Sequence, residues 1–251
     1  MESLFDGYTS RRSPRRAGAA PWDEMFPSDA PSGGEGVRLP YQDMYPALAA
    51  MDDAELRART DALASSYLAQ GVTFDFAGEE RPFPLDVDPR VVAADDWRYV
   101  ESGVKQRVRA LEAFLADVYG PQLAVQDGVI PASLISSSAH FHRQAAGIVG
   151  ANGVRIHVAG IDVIRDELGA WRVLEDNVRV PSGVSYVLAN RRVMAQTLPE
   201  LFTSLRVRPV VDYPSRLLQA LRAAAPDGVD DPTVVVPVSY THLTLPTIYS
   251  V

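Results

Sequence analysis

Three side chains with metal-binding oxygens lie close together in the middle of the sequence. Asp162 is followed thirteen residues later by Glu175, and Asn177 comes two residues after that. Carboxylate and amide oxygens are hard ligands, which suit Mg²⁺ better than zinc. Mg²⁺ held in this way commonly bridges the phosphates of a substrate. The chemistry therefore depends on whether one structural element brings the three oxygens together.

The sequence around these residues predicts a β-hairpin. Residues 154–165 and 170–174 are mostly β-branched and apolar, which is typical of strands. Residues 166–169 read Asp-Glu-Leu-Gly, a turn composition with the glycine placed for a positive φ. Because side chains on a strand alternate with period two, Glu175 and Asn177 are expected on one face.

The length of the turn decides whether Asp162 shares that face. If the loop is the four residues from 166 to 169, Arg165 pairs with Ala170 and Asp162 lies opposite Val173. Glu175 is then a diagonal neighbour of Asp162, about 7 Å away between backbones. A loop one residue longer or shorter would move Glu175 to the other face. With the even loop, we expect two carboxylates and one amide oxygen to converge.

The sequence around these residues resembles that of a known protein family. Asp162, then Glu175-x-Asn177, then a Pro-Ser-Gly turn at residues 181–183 are similar to the metal hairpin of ATP-grasp ligases. The longer stretch Leu-Glu-Asp-Asn-Val-Arg-Val-Pro-Ser-Gly-Val-Ser-Tyr-Val-Leu-Ala-Asn-Arg-Arg resembles a narrower group, the circularly permuted type 2 ATP-grasp proteins, which include glutathionylspermidine synthetase-like ligases. Arg-Pro-Phe-Pro-Leu-Asp, at residues 81–86, has the same likeness.

The resemblance implies an α/β fold and a set of site residues. The fold would be a partial circularly permuted ATP-grasp fold, with a metal-binding hairpin and flanking helices. The implied residues are Asp162, Glu175 and Asn177 as Mg²⁺ ligands, Arg179 near the phosphates or acyl phosphate, backbone amides near Ser182 and Gly183 along the ATP site, Arg81 and Asp86 at the substrate cleft, and Asn190 and Arg191 as weaker candidates.

The activity that the resemblance implies is ATP- and Mg²⁺-dependent ligation. A small-molecule or peptide carboxylate is activated as an acyl phosphate, and an amine then attacks it. The sequence departs from the family in two ways. Gly160 stands where many members carry an arginine, and Lys105 is the sole lysine, without a glycine-rich phosphate loop. We therefore expect the nucleotide-gripping lysines to be lost with a C-terminal part, and this fragment to have little or no ligase activity.

Other readings of the same residues stay open. Arg179 is equally well explained by a surface ion pair with Asp176 or Glu200. The fold can serve as a nonenzymatic binding or scaffold module. A metal-dependent hydrolase would need a positioned base, and His157 alternates away from Asp162, as a structural histidine would.

Composition excludes several classes. The 251 residues carry a net charge of −8 and no basic stripe, so nucleic acid is not an expected partner. There is no cysteine, which excludes disulfides and thiolate metal sites. No apolar run approaches the ~20 residues that span a bilayer, and no secretory signal is present. We expect a cytoplasmic protein without a membrane partner.

The remaining sequence predicts helices around the hairpin. Residues 1–38 are expected to be a disordered tail from which Trp22, Met25 and Phe26 dock on the domain, and residues 39–236 the partial ATP-grasp domain. Residues 237–251 resemble a translated sequencing-library adapter and are expected to be non-native. The other predicted elements are a helix after Asp52, a strand at 72–76, helices at 96–119, 184–202 and 213–225, and a buried strand at 233–236. The helix at 96–119 carries an apolar stripe that is expected to be core. Its solvated face is expected to include Gln106, Arg107 and Arg109.

Overall fold

A computed structural model describes residues 4–5, 22–27, 36–179, 181 and 183–235. Within these ranges the chain is mixed α/β, as the sequence predicts, with two separate antiparallel hairpins. The strands are β1 (Thr73–Phe76), β2 (Glu79–Pro82), β3 (Gly160–Arg165) and β4 (Trp171–Asn177). The helices are α1 (Tyr45–Ala49), α2 (Asp53–Ala69), α3 (Ala94–Val118), α4 (Leu123–Gln126), α5 (Ala132–Ser136), α6 (Val184–Thr197), α7 (Pro199–Leu205) and α8 (Tyr213–Arg222), with short 3-10 turns at Leu39–Tyr41 and Arg143–Ala145.

The hydrophobic core lies between α2, α6 and α7. The side chain of Tyr67 on α2 and that of Val193 on α6 are fully buried there. The N-terminal segment also contributes, because Met25 and Phe26 are only 6% and 3% exposed, which confirms that they dock on the domain. The buried members of this cluster are Met25, Phe26, Val37, Tyr41, Met44, Leu48, Met51, Leu63, Tyr67, Val87, Ala189, Val193, Met194, Leu198 and Leu201.

Two polar contacts fix the orientation of α2 against α6 and α7. The Tyr67 hydroxyl donates to Asn190 Oδ1 at 2.6 Å. Burial raises the pKa of Tyr67 to about 12, so the hydroxyl remains a donor at neutral pH. Arg59 donates to the carbonyl of Thr197 at 3.1 Å and to Glu200 at 2.9 Å. Asn190, a weaker site candidate in the sequence, therefore has a structural role.

Local signals account for the ends of the core helices. Asp52 caps α2, because its Oδ1 accepts the N–H groups of Ala54 and Glu55. The single helix predicted over 184–202 is wrong, since α6 ends at Thr197 and α7 starts at Pro199. Proline has no N–H to continue α6 but fits the first position of a new helix.

Helix α3 has the predicted bounds but not the predicted environment. The apolar stripe was expected to be core, and this is wrong, because on α3 only Val118 is buried and Phe114 is 42% exposed. No α3 residue belongs to the core cluster formed by the described residues. The helix lies instead along the hairpin β3–β4, which it contacts through charged side chains.

The end of the described chain also differs from expectation. Residues 213–225 give the predicted helix as α8. The buried strand predicted at 233–236 is wrong for residues 233–235, which form no strand, and Val235 is 77% exposed. Val236 and the predicted non-native tail lie outside the described residues. In the part of the chain that the structure describes, every helix is too short or too polar to cross a membrane.

Two leucines of α2 test the position of the core. Leu63 is 2% exposed and Leu68 is 53% exposed on the same helix. We expect Leu63→Ala to lower the free energy of unfolding by about 2–5 kcal/mol, because it leaves a cavity. The matched Leu68→Ala should change it by less than about 0.5 kcal/mol. Urea unfolding measures both, and equal losses would contradict this core.

Candidate metal-binding hairpin

The turn of the hairpin is one residue longer than predicted. Arg165 pairs with Trp171 rather than with Ala170, so the loop runs from Asp166 to Ala170. Asp166 closes the loop, because its N–H donates to the Ala170 carbonyl at 3.0 Å and its Oδ1 accepts the Ala170 N–H at 2.8 Å. Gly169 has the expected positive φ of 79°. The four-residue loop is therefore wrong.

A β-bulge compensates for the longer turn. Val163 pairs with Val173, but the next pair is Asp162 with Glu175, so Leu174 has no partner. Asp162 consequently lies directly opposite Glu175, not opposite Val173 as predicted. Directly opposed residues share a face, with Cβ atoms about 4.5–5.5 Å apart. The bulge thus brings the two carboxylates closer than the predicted diagonal arrangement would.

The face that carries these carboxylates is open to solvent. Asp162 and Glu175 are both exposed, whereas Ile161 and Val163, on the opposite face, are half-buried. Neither carboxylate forms an ion pair among the described residues. Like charges directly opposite each other destabilise a strand pair. This unneutralised pair is therefore suited to a cation.

Asn177 lies at the covered end of the same face. It pairs with Gly160, and both are half-buried. A Cβ built on Gly160 would lie 2.9 Å from Pro181 Cβ and 3.6 Å from Asn177 Cβ. The chain that leaves the hairpin therefore folds back over Gly160. A residue with a side chain would therefore require Pro181 to move, which favours glycine at this position.

The opposite face of the hairpin is attached to α3. Arg107 makes two hydrogen bonds to Asp176, Nε to Oδ1 and Nη2 to Oδ2, both 2.6 Å. These bonds lower the pKa of Asp176 below its ordinary value. Arg107 is exposed, as the sequence predicts for this face of α3, but the prediction did not include its pairing with Asp176. Only the bidentate geometry, which the sequence does not reveal, identifies this pair.

The turn end of the hairpin is attached through Arg165. Its guanidinium bonds to Asp96 of α3 at 2.6 Å and lies 3.3 Å from Glu24. It also stacks 4.3 Å from the ring centre of Trp171 and 5.9 Å from that of Trp22. The side chain is 13% exposed. The N-terminal segment, the hairpin and α3 therefore meet at one arginine.

One cavity of the described structure lies beside this arginine. Its volume is about 420 Å³. Its lining does not include Asp162 or Glu175, so it is not the predicted metal site. Its polar lining residues include Trp22, Glu24, Arg38, Tyr41, Asp96 and Arg165.

The segment before β3 is not the strand that the sequence predicts. β3 begins at Gly160 rather than at residue 154. The N–H groups of Arg155 and Ile156 donate to the carboxylate of Glu112 at 2.8 and 2.9 Å instead of to a strand partner. His157 is exposed, so its expected role as a satisfied structural histidine is also wrong.

Arg179 lies just beyond the hairpin and is exposed. The ion pair expected as an alternative is wrong, because Asp176 binds Arg107 and Glu200 binds Arg59. The described contact of Arg179 is with His140 Nδ1 at 3.4 Å. Its guanidinium is therefore not neutralised by a carboxylate in the described part of the chain.

The predicted ATP-contacting loop is only partly described. Ser182 lies outside the described residues. Gly183 has a φ of 112°, which favours glycine, and directly precedes α6. The N-terminus of α6 has no capping side chain and no acidic residue in its first turn. A helix N-terminus without a capping side chain can bind an anion through its N–H groups.

The upstream candidates make local contacts in this structure. Arg81, on β2, pairs with Glu79 at 2.6 Å. Asp86 accepts the N–H of Asp88 at 3.1 Å. Arg191, a weaker candidate, donates to the carbonyls of Val207 and Arg208. None of these described contacts joins the three hairpin candidates.

The predicted ligand set is small. Among the described residues, no group of three or more His, Cys, Asp and Glu side chains has the arrangement of a metal site. The candidate site consequently consists of two carboxylates and one amide. Such a site leaves several coordination positions for water and phosphate oxygens, as Mg²⁺ prefers.

Comparison with known proteins identifies the family. The family described as a circularly permuted ATPgrasp matches residues 89–246. The match covers more than half of the chain and includes the whole hairpin. The chain belongs to the circularly permuted ATP-grasp family, as the resemblance indicated.

Several longer proteins are similar to the chain. An uncharacterized protein of Mycobacterium tuberculosis is 54% identical over 235 residues, which is 94% of this chain but 41% of that protein. A Synechocystis protein is 49% identical over 170 residues, 66% of this chain and 35% of its own length. A Frankia casuarinae protein bearing the name glutamate–cysteine ligase 2-2 is 40% identical over 203 residues, 80% of this chain and 24% of its own length. The chain thus spans about two fifths of its mycobacterial relatives.

The contact between Gly160 and Pro181 can be tested with alanine. Gly160→Ala places a methyl group 2.9 Å from Pro181 Cβ, and we expect a loss of about 1–3 kcal/mol in the free energy of unfolding. Gly103→Ala is the matched control, because a Cβ on that α3 glycine meets nothing within 4 Å. It should stabilise the protein by about 0.5–1 kcal/mol. If urea unfolding shows no change in the free energy of unfolding for Gly160→Ala, the close contact between Gly160 and Pro181 is contradicted.

The pair between Arg107 and Asp176 predicts a pH dependence. Because the pKa of Asp176 is lowered from 3.8, the pair stabilises the fold above that ordinary value. This contribution is lost as the pH falls through the lowered pKa. We expect Asp176→Asn to cost stability at about pH 6 and progressively less below about pH 4.

Urea unfolding of Asp176→Asn and wild type across this range measures the difference. Asp61→Asn is the control, because Asp61 is exposed and forms no ion pair in the described structure. Its difference from wild type should not vary with pH. If the difference in free energy of unfolding between Asp176→Asn and wild type is also independent of pH, the ion pair is contradicted.

Proposed function

We propose that this chain contributes the metal-binding part of an ATP- and Mg²⁺-dependent ligase that joins a carboxylate to an amine. The observation that carries the proposal is the directly opposed, unneutralised pair Asp162 and Glu175. Membership of the circularly permuted ATP-grasp family supports the same reaction class. The activity belongs to the whole protein, of which the mycobacterial relatives are longer examples.

The donor set fits magnesium. Asp162 and Glu175 supply two hard anionic oxygens on one exposed face, and Asn177 continues that face with an amide oxygen. A divalent ion between them would remove the repulsion of the two opposed carboxylates. When bound, Mg²⁺ would neutralise charge on the ATP phosphates during phosphoryl transfer.

The protein side chains have distinct proposed roles. Asp162, Glu175 and Asn177 would hold the ion, and the pairing of β3 with β4 places Asp162 opposite Glu175. Arg179 engages oxygens of the transferred phosphate or of the acyl phosphate, which its planar guanidinium can bind in pairs. Its exposure and its lack of a carboxylate partner in the described chain support this role. Its neighbour His140 lies within 3.4 Å and is available to orient it.

The loop after the hairpin is proposed to contact the nucleotide. Backbone N–H groups near Ser182 and Gly183 would bind phosphate oxygens at the uncapped N-terminus of α6. Lys105 is the sole lysine and pairs with Glu101, so it is not proposed as a phosphate ligand. We propose that the remaining nucleotide contacts come from regions of the whole protein outside this chain. We expect the 251-residue chain alone to release no phosphate from ATP.

The substrates are proposed to be a peptide or amino-acid carboxylate and an amine. The Frankia casuarinae relative has the name putative glutamate–cysteine ligase 2-2, which refers to two amino acids. Arg81 and Asp86 are proposed to face the substrate, with Arg81 offering a guanidinium for its carboxylate. Both side chains are exposed.

A second function is a binding or scaffold module without turnover. It is favoured by the sole lysine, Lys105, which pairs with Glu101 and so is not placed to bind ATP phosphates. The two functions differ in what Glu175 does. Only the ligase needs this carboxylate for Mg²⁺-dependent binding of ATP.

Glu175→Ala in the full-length protein separates the two functions. We expect it to abolish Mg²⁺-dependent ATP binding and turnover, because it leaves only one carboxylate, Asp162, beside the amide of Asn177. Binding is measured by calorimetry with and without Mg²⁺, and turnover by release of phosphate. Glu167→Ala, an exposed glutamate in the turn of the same hairpin, is the matched control and should bind ATP normally. Unchanged ligand binding by Glu175→Ala would favour the scaffold.

A further inference from the structure

Asp176 occupies a special position in β4. It lies between Glu175 and Asn177 in the sequence, and its side chain points to the opposite face of the hairpin. There it receives both hydrogen bonds from Arg107 of α3, each 2.6 Å. The backbone of Asp176 therefore connects an ion pair on one face with two proposed metal ligands on the other.

The hairpin needs such an external contact. It is a two-stranded sheet without a third strand in the described structure, and isolated two-stranded ribbons are only marginally stable. The bulge leaves Leu174 unpaired beside Glu175, which locally interrupts the ladder. A planar guanidinium bound through two parallel bonds fixes both the position and the angle of its carboxylate.

A second ion pair fixes the orientation of the hairpin along α3. Asp96 binds Arg165 near the turn, eleven residues before Arg107 on the helix. Eleven helical residues span roughly 16 Å. Arg165 and Ile161, the partner of Asp176, are four strand residues apart, which is roughly 14 Å. The two pairs are therefore spaced to hold the hairpin parallel to α3 at both ends.

We infer that Arg107 is a positioning residue for the metal site formed by Asp162, Glu175 and Asn177. By fixing Asp176, it sets the direction of the flanking Glu175 and Asn177 side chains. It does not contact the ion or the substrate. The inference rests on the proposed function, because it requires that the hairpin binds a divalent ion. Removal of residues that orient metal ligands typically lowers metal affinity by about 10–100-fold.

Mn²⁺ is the probe that tests the inference without turnover. Bound Mn²⁺ broadens the amide signals of nearby residues in NMR spectra, and titration gives its affinity for the 251-residue chain. We expect broadening centred on residues 160–163 and 174–177 in the wild type. Arg107→Gln should weaken Mn²⁺ binding about tenfold.

Two further variants separate positioning from a general loss of structure. Lys105→Gln removes another cation of α3, which pairs with Glu101 within the helix, and should bind Mn²⁺ like the wild type. The charge-swapped pair Arg107→Asp with Asp176→Arg restores the contact and should recover part of the lost affinity. This recovery keeps the inference testable even if Arg107→Gln is less stable.

The outcomes distinguish the inference from the function on which it rests. If Mn²⁺ fails to broaden the hairpin of the wild type, the proposed metal site fails. If the wild type binds Mn²⁺ at the hairpin and Arg107→Gln binds it equally well, the inference about Arg107 is overturned. It is also overturned if the charge-swapped variant binds no better than Arg107→Gln.

Discussion

A one-residue β-bulge decides which side chains share a face of the hairpin. Without it, the five-residue turn would place Leu174 opposite Asp162 and Glu175 on the other face. With the bulge, Asp162 and Glu175 lie directly opposite each other. Among the described residues, no basic side chain forms an ion pair with either carboxylate. The repulsion of this pair is the constraint from which the proposed magnesium site follows. The proposed metal site thus depends on the bulge.

Helix α3 gives this small hairpin a fixed frame. Arg107 and Asp96 bind the two ends of the ribbon, and Glu112 holds the backbone that leads into it. Exposed ion pairs contribute little stability singly, but a series of them along one helix restricts orientation. The core, built on α2 and α6, lies elsewhere in the chain. The geometry of the site therefore depends on residues that lie outside the hydrophobic core.

Sequence patterns predicted the elements well and their connections less well. The cap at Asp52, the bounds of α3 and the existence of the hairpin follow from local chemistry, which the sequence displays directly. The turn was predicted one residue too short, because the carboxylate of Asp166 reaches the Ala170 N–H, a contact that composition does not reveal. The shared face of Asp162 and Glu175 was nevertheless predicted, since the bulge offset that error. The pairing of Arg107 with Asp176, 69 residues apart, could not be predicted from spacing.

A crystal structure of the full-length protein with ATP and Mg²⁺ would show directly whether the hairpin holds the ion. We expect an ion about 2.1 Å from oxygens of Asp162, Glu175 and Asn177, with phosphate oxygens among its other ligands. An ion bound by other side chains, with Asp162 and Glu175 both free of it, would rule out the hairpin as the metal site.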